Sequence, residues 1–87
     1  MDTATEVFEL SERVVIAPSS GRVALPPVDS RAEEGEFVMS GESLATVRVG
    51  DGEVPVRTAF RGWLMGFLVL DGQPIRPGEP VAWLRKA

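Results

Sequence analysis

The sequence predicts an all-β domain made of two quasi-symmetric halves, and three observations carry that prediction. Apolar residues fall in short, β-branched runs separated by Gly, Pro, Asp and Ser, with no helical spacing of useful length. Nine Gly and seven Pro in 87 residues leave little room for long helices. The second half of the chain also repeats the first. Glu34 to Val47 matches Asp71 to Leu84 at an offset of 37 positions (71 − 34), with acidic, Gly, apolar, Gly, Glu, apolar and apolar residues in register. Ala17 to Val23 matches Thr58 to Leu64 at an offset of 41 (58 − 17). The difference of four falls in a Pro-rich loop of the first half. Each half alone is too small to bury its apolar face, so the duplication predicts interlocked strand sets about a pseudo-twofold axis.

The elements follow in order. Residues 1–12 read as a lead-in segment and 13–87 as the domain; Glu6 to Arg13 fits either a short helical turn or a strand. Val14, Val15 and Ile16 are β-branched and end at the turn sequence Pro18-Ser19-Ser20-Gly21. Val23 and Leu25 follow, then a loop from Pro26 to Gly35. Phe37 and Val38 make a short extended piece closed by Ser40-Gly41. Residues 44–58 read as a β-hairpin. Leu44, Val47 and Val49 form its outgoing strand, Gly50-Asp51-Gly52 its tip, and Val54 and Val56 alternate with Pro55 and Arg57 on the return. Trp63 to Leu70 is a continuous apolar stretch, where a strand with one wet face should alternate.

Composition removes several function classes. The net charge is −4, so counterion release from a phosphate backbone has nothing to work with and a nucleic-acid role is not expected. The chain has no Cys and no His, which excludes disulfides, the usual zinc ligands, thiol nucleophiles and Ser-His-Asp triads. The longest apolar run is too short to span a bilayer, and the first six residues have no basic or apolar leader character, so a cytoplasmic protein without a membrane role is expected. Eight of the nine basic residues are Arg, a bias that fits a GC-rich bacterial genome; the single lysine is Lys86. Asp51 and Glu53 lie beside glycines, but a three-residue turn supplies too few oxygens for Ca²⁺ or Mg²⁺, so they read as polar hairpin-tip residues and no metal is expected. The run Glu33-Glu34-Gly35-Glu36 reads as a solvated loop.

The paired turns and strands resemble the biotinyl/lipoyl carrier domain, a barrel-sandwich hybrid of two quasi-symmetric sheets, over Val14 to Arg85. Within that family the chain looks most like the biotin carboxyl carrier type of acetyl-CoA carboxylase. The residues that carry the resemblance are Ala17-Pro18-Ser19-Ser20-Gly21, Phe67-Leu68-Val69, Gly72-Gln73-Pro74-Ile75 and Glu79-Pro80. The loop from Leu25 to Ala32 sits where the carboxylase type has a protruding thumb.

The resemblance implies chemistry at the hairpin tip, where the family presents a Met-Lys-Met triplet whose lysine amine takes biotin or lipoate. Aligned forward from Leu44 and backward from Gly62, the triplet falls without a gap on Gly50-Asp51-Gly52. Asp51 occupies the attachment position, and the acidic residue usual before the triplet is Arg48. A carboxylate cannot form the linking amide. The expectation is a module with no cofactor-binding residue, no covalent cofactor and no catalysis of its own.

Its apolar surplus then becomes the informative feature. Trp63, Met65 and Leu70 stand where the family is commonly polar, while Leu64, Phe67 and Val69 look like core. Trp83 replaces a smaller aliphatic residue. These four, Trp63, Met65, Leu70 and Trp83, are the expected interface with a protein partner or a second copy. The expected function is protein–protein contact, as an accessory in an acyl-CoA carboxylase-type assembly. Two alternatives stand beside it. One is a genuine biotin carboxyl carrier protein with an atypical attachment. The other is an adaptor-like domain of a transport system, whose long helical insertion and membrane anchor the sequence does not display.

Overall fold

A computed structural model describes residues 11–27 and 35–87 of the chain. Residues 1–10, and with them most of the lead-in segment, lie outside the described residues, as do Val28 to Glu34 of the Pro-rich loop.

The described residues form eight strands: β1 (Glu12–Ile16), β2 (Gly21–Ala24), β3 (Phe37–Val38), β4 (Ser43–Val49), β5 (Gly52–Arg57), β6 (Gly62–Phe67), β7 (Pro74–Ile75) and β8 (Pro80–Lys86). They pair into two four-stranded antiparallel sheets, β1-β8-β6-β3 and β5-β4-β2-β7. Shifting each strand to its repeat partner turns the first order into the second, so the sheets are copies of one arrangement. No described helix is long and apolar enough to cross a membrane.

The repeat seen in the sequence is the geometry of the fold. β3 and β7, and likewise β4 and β8, start and end 37 residues apart and share one burial pattern each. Backbone hydrogen bonds show how the halves lock. In the turn before β4, Gly41 donates to the carbonyl of Thr58 at 2.7 Å, while Thr58 donates to Glu42 at 3.0 Å. In the turn before β8, Gly78 donates to Ala17 at 2.9 Å, while Ala17 donates to Glu79 at 2.9 Å. Each half thus ties its turn to the start of the other half, and neither half satisfies its own backbone groups alone.

Within each half, one glycine lets two neighbouring strands approach closely. A β-carbon on Gly21 would overlap the carbonyl oxygen of Arg48, and one on Gly62 the carbonyl oxygen of Arg85. Inside lie Val15, Val23, Val38, Leu44, Val47, Val56, Leu64, Ile75, Val81 and Leu84, with Leu25 and Phe67 packed against them.

Local expectations are met with a few adjustments. Glu12 and Arg13 begin a strand, so β1 starts one residue before the expected boundary at 13. β2 ends at Ala24, and Leu25 leaves the ladder by donating its backbone N–H to Asp71 Oδ1 at 2.9 Å. The apolar run from Trp63 alternates in space although it does not in sequence. Gly62, Leu64 and Gly66 are buried, Trp63 is exposed, and Met65 and Phe67 are half-buried. Leu64 and Val69 are core residues, whereas Leu68 is half exposed.

Candidate functional site

The β4–β5 hairpin tip is where the resemblance in sequence puts the attachment position. β4 and β5 pair to the end, with Val49 opposite Gly52. The loop is therefore two residues, Gly50 and Asp51, and Gly52 already belongs to β5. Gly50 has φ of +58°, and no non-glycine described residue has positive φ. Glycine with positive φ at the first loop position, followed by a residue with negative φ, is the pattern of a type II′ turn. The turn matches the twist of the flanking strands and lifts Asp51 into solvent, where it is exposed.

The tip thus presents one carboxylate and no amine. The single lysine, Lys86, lies on the other sheet, opposite Gly62. No described group of three or more His, Cys, Asp or Glu side chains could hold a metal ion. Beside the hairpin the outer face of its sheet is polar. Arg48 lies opposite Glu53 on one side and opposite Arg22 on the other. Arg22 donates to the carbonyl of Gly72 at 3.0 Å. An open groove of about 310 Å³ runs between Ala24, Leu25, Thr46, Arg48 and Glu53.

The second region is the outer face of the sheet containing β1, β8, β6 and β3. One cross-strand row reads Glu12, Arg85, Trp63, Phe37, and the next pairs Val14 with Trp83 and Trp83 with Gly66. The rings of Trp63 and Phe37 meet edge to face, centroids 5.3 Å apart. At the far side of the row, Arg85 reaches Glu12 at 4.0 Å, a pair too exposed to matter for stability. The register shifts between Leu64 and Gly66, so Met65 occupies a bulge.

Of the four interface residues expected from sequence, the fold brings Trp63 and Trp83 into adjacent rows of one face, with Met65 at the bulge beside them. It separates Leu70, which is 77% exposed on the turn into β7, a strand of the other sheet. Its backbone N–H is held by Gln73 Oε1 at 3.0 Å, which explains the residue's place in a turn rather than on a sheet face. The face gains three residues that sequence reasoning passed over: Val14, Ile16 and Phe37 are all exposed on it. For Val14 and Ile16 the signal was available, because they alternate with buried Val15 in β1.

No family model matches the chain, and no curated protein sequence matches it either. Among solved structures it is similar to a single-chain, multi-domain long-chain acyl-CoA carboxylase, with a TM-score of 0.73 and 20% identity. The similarity covers 99% of this chain and 8% of the carboxylase, so the chain is the size of one small piece of that enzyme. The likeness is one of fold.

Proposed function

We propose that this chain is a carrier-fold module that holds no covalent cofactor and works through protein–protein contact, as an accessory in an acyl-CoA carboxylase-type assembly. The observation that carries the reading is Asp51 at the hairpin tip. A swinging arm needs a primary amine at that point, because biotin and lipoate are joined through an amide nitrogen. Asp51 offers an oxygen acceptor instead, and the flanking glycines remove the side chains that a ligase would grip. The similarity to part of a long-chain acyl-CoA carboxylase supports the choice of assembly. The module supplies surface rather than catalysis, and its acidic net charge of −4 disfavours nucleic acid as the partner.

The test is the intact mass of the protein purified from its native cells, together with the identity of what is retained with it. The expected result is a protein without the mass increment of biotin or lipoate that brings a carboxylase subunit with it. A biotin or lipoate adduct would overturn the reading and make the chain a carrier with an atypical attachment. A second arm tests the register. Asp51→Lys, alone and with Gly50→Met and Gly52→Met, is expected to become a substrate for a biotin ligase. The single variant keeps Gly50 and so keeps the turn.

A further inference from the structure

We infer that the outer face of the β1-β8-β6-β3 sheet is a self-association surface, and that its occupant is the same face of a second copy of this chain. The inference rests on reading the chain as a contact-making module and names the partner.

The fold contains its own control. The five apolar positions of this face that carry the argument have repeat partners on the strands of the other sheet. There Trp63 corresponds to Arg22, Trp83 to Thr46, Phe37 to Pro74, Val14 to Pro55 and Ile16 to Arg57. The second sheet folds with polar residues and prolines at all five positions. Apolar side chains there are therefore not a requirement of the architecture, and the edge-to-face contact of Phe37 with Trp63 still leaves both rings exposed.

Area and charge point to a second copy. Val14, Ile16, Phe37 and Trp63 are 42–52% exposed. With aromatic side chains offering roughly 150–250 Å² each, the face presents on the order of 400 Å² of apolar surface. A stable dimer buries about 800 Å² per partner, somewhat more than half of it non-polar. One face meeting its own copy therefore provides about the apolar area that an interface of ordinary size contains. The cross-strand row holds only two charges, Glu12 and Arg85, and these pair with each other. The face is thus locally neutral on a chain whose net charge is −4, which lets like meet like without repulsion at the contact. Two tryptophans at its centre are the residue type most often found as anchors. A twofold arrangement uses one patch on both copies and closes on itself, which avoids open-ended growth.

The experiment is sedimentation velocity on the full chain from about 1 µM to about 500 µM, with tryptophan emission followed over the same dilution. Both tryptophans of the chain lie on this face, so emission reports the contact directly. The expected result is a species of twice the 9.4 kDa chain mass at high concentration, with a red shift as it dissociates. Trp63→Arg with Trp83→Thr installs the residues of the other sheet and is expected to weaken association at least about 100-fold. Arg22→Ala with Thr46→Ala, on the opposite sheet, is expected to leave association unchanged. Urea unfolding of both double variants confirms that they are folded. A monomer throughout the range overturns the inference. So does a dimer that survives Trp63→Arg with Trp83→Thr, which would place the contact elsewhere. A chain that dimerises only after residues 1–10 are deleted would make that segment the occupant of the face, and would also overturn it. None of these outcomes depends on a cofactor adduct, so this inference and the proposed function fail separately.

Discussion

In the first half of the chain, Glu42 folds back so that its carboxylate accepts the N–H of Met39 at 3.1 Å; in the second half, Glu79 does the same for Arg76 at 2.6 Å. Gly35 donates to Leu64 at 2.6 Å in one half, and Gly72 donates to Val23 at 2.7 Å in the other. The agreement stops where the strands face water. One outer face holds Trp63, Trp83 and Phe37; the other holds Arg22, Thr46 and Pro74. The comparison separates two kinds of position. Those that close backbone hydrogen bonds between halves are alike because the geometry allows few solutions. Those that meet solvent are free to differ between the halves.

The sharpest way to break this equivalence is at Gly21 and Gly62. An added β-carbon meets a backbone carbonyl oxygen in both cases, and a carbonyl in a sheet ladder cannot swing aside as a flexible side chain would. Gly21→Ala and Gly62→Ala are each expected to cost at least about 4 kcal/mol, far more than the 0.5–1 kcal/mol that alanine ordinarily gains over glycine in a strand. Paired urea unfolding checks it. If one glycine tolerates alanine and the other does not, the β2–β4 and β6–β8 contacts are not equivalent.

A smaller effect separates the two sides of the core. Leu64 and Val23 are repeat partners, both fully buried, and the pocket on the β6 side is therefore one methylene larger. Leu64→Ala is expected to cost about 3 kcal/mol by cavity formation, and Leu64→Val only about 1 kcal/mol. Valine is the residue the other half already uses there. Chemical denaturation midpoints distinguish the two. Equal losses for Leu64→Val and Leu64→Ala would show that the core around β6 cannot relax toward the shape found around β2.

How much of this was legible before the fold was known depends on where the information sits. The strands and the duplication were readable because β-branched residues, turn glycines and the 37-residue offset are local facts of the sequence. The hairpin was readable for the same reason, but the sequence suggests a three-residue tip, Gly50-Asp51-Gly52, and only the pairing of Val49 with Gly52 shortens the loop to Gly50-Asp51. The outer face was only partly readable. Trp63 and Trp83 stood out by type, but Phe37 joins them through pairing with β6, and nothing near Phe37 in sequence announces that neighbour. Leu70 shares the apolar run of Trp63 and, like Trp63, stands where the resembling family is commonly polar; the chain crosses from one sheet to the other between β6 and β7, and the run is cut in space although it is continuous in sequence. Side-chain type tells which residues seek cover, whereas topology decides which of them share it.

The smallest expected effect bears most directly on Asp51. The tip has two glycines with different tasks: Gly50 has φ of +58°, and Gly52 is the first residue of β5 with no positive φ. Neither has a neighbour that would crowd a β-carbon, so backbone conformation alone decides. Gly50→Ala forces an L side chain into the left-handed region and is expected to cost about 1 kcal/mol after the gain from a stiffer unfolded chain. Gly52→Ala keeps an extended residue in a strand and is expected to be neutral or stabilising by up to about 0.5 kcal/mol. Opposite signs in paired denaturation curves would fix the loop as Gly50-Asp51 and leave Asp51 at the apex. Equal losses would mean that Gly52 also takes a left-handed conformation. The tip would then be a longer loop, the strands flanking it would slip relative to each other, and the residue at the apex would no longer be assured as Asp51. The proposed function places a carboxylate where an attachment amine would stand, so this modest pair of alanines tests that premise at its source.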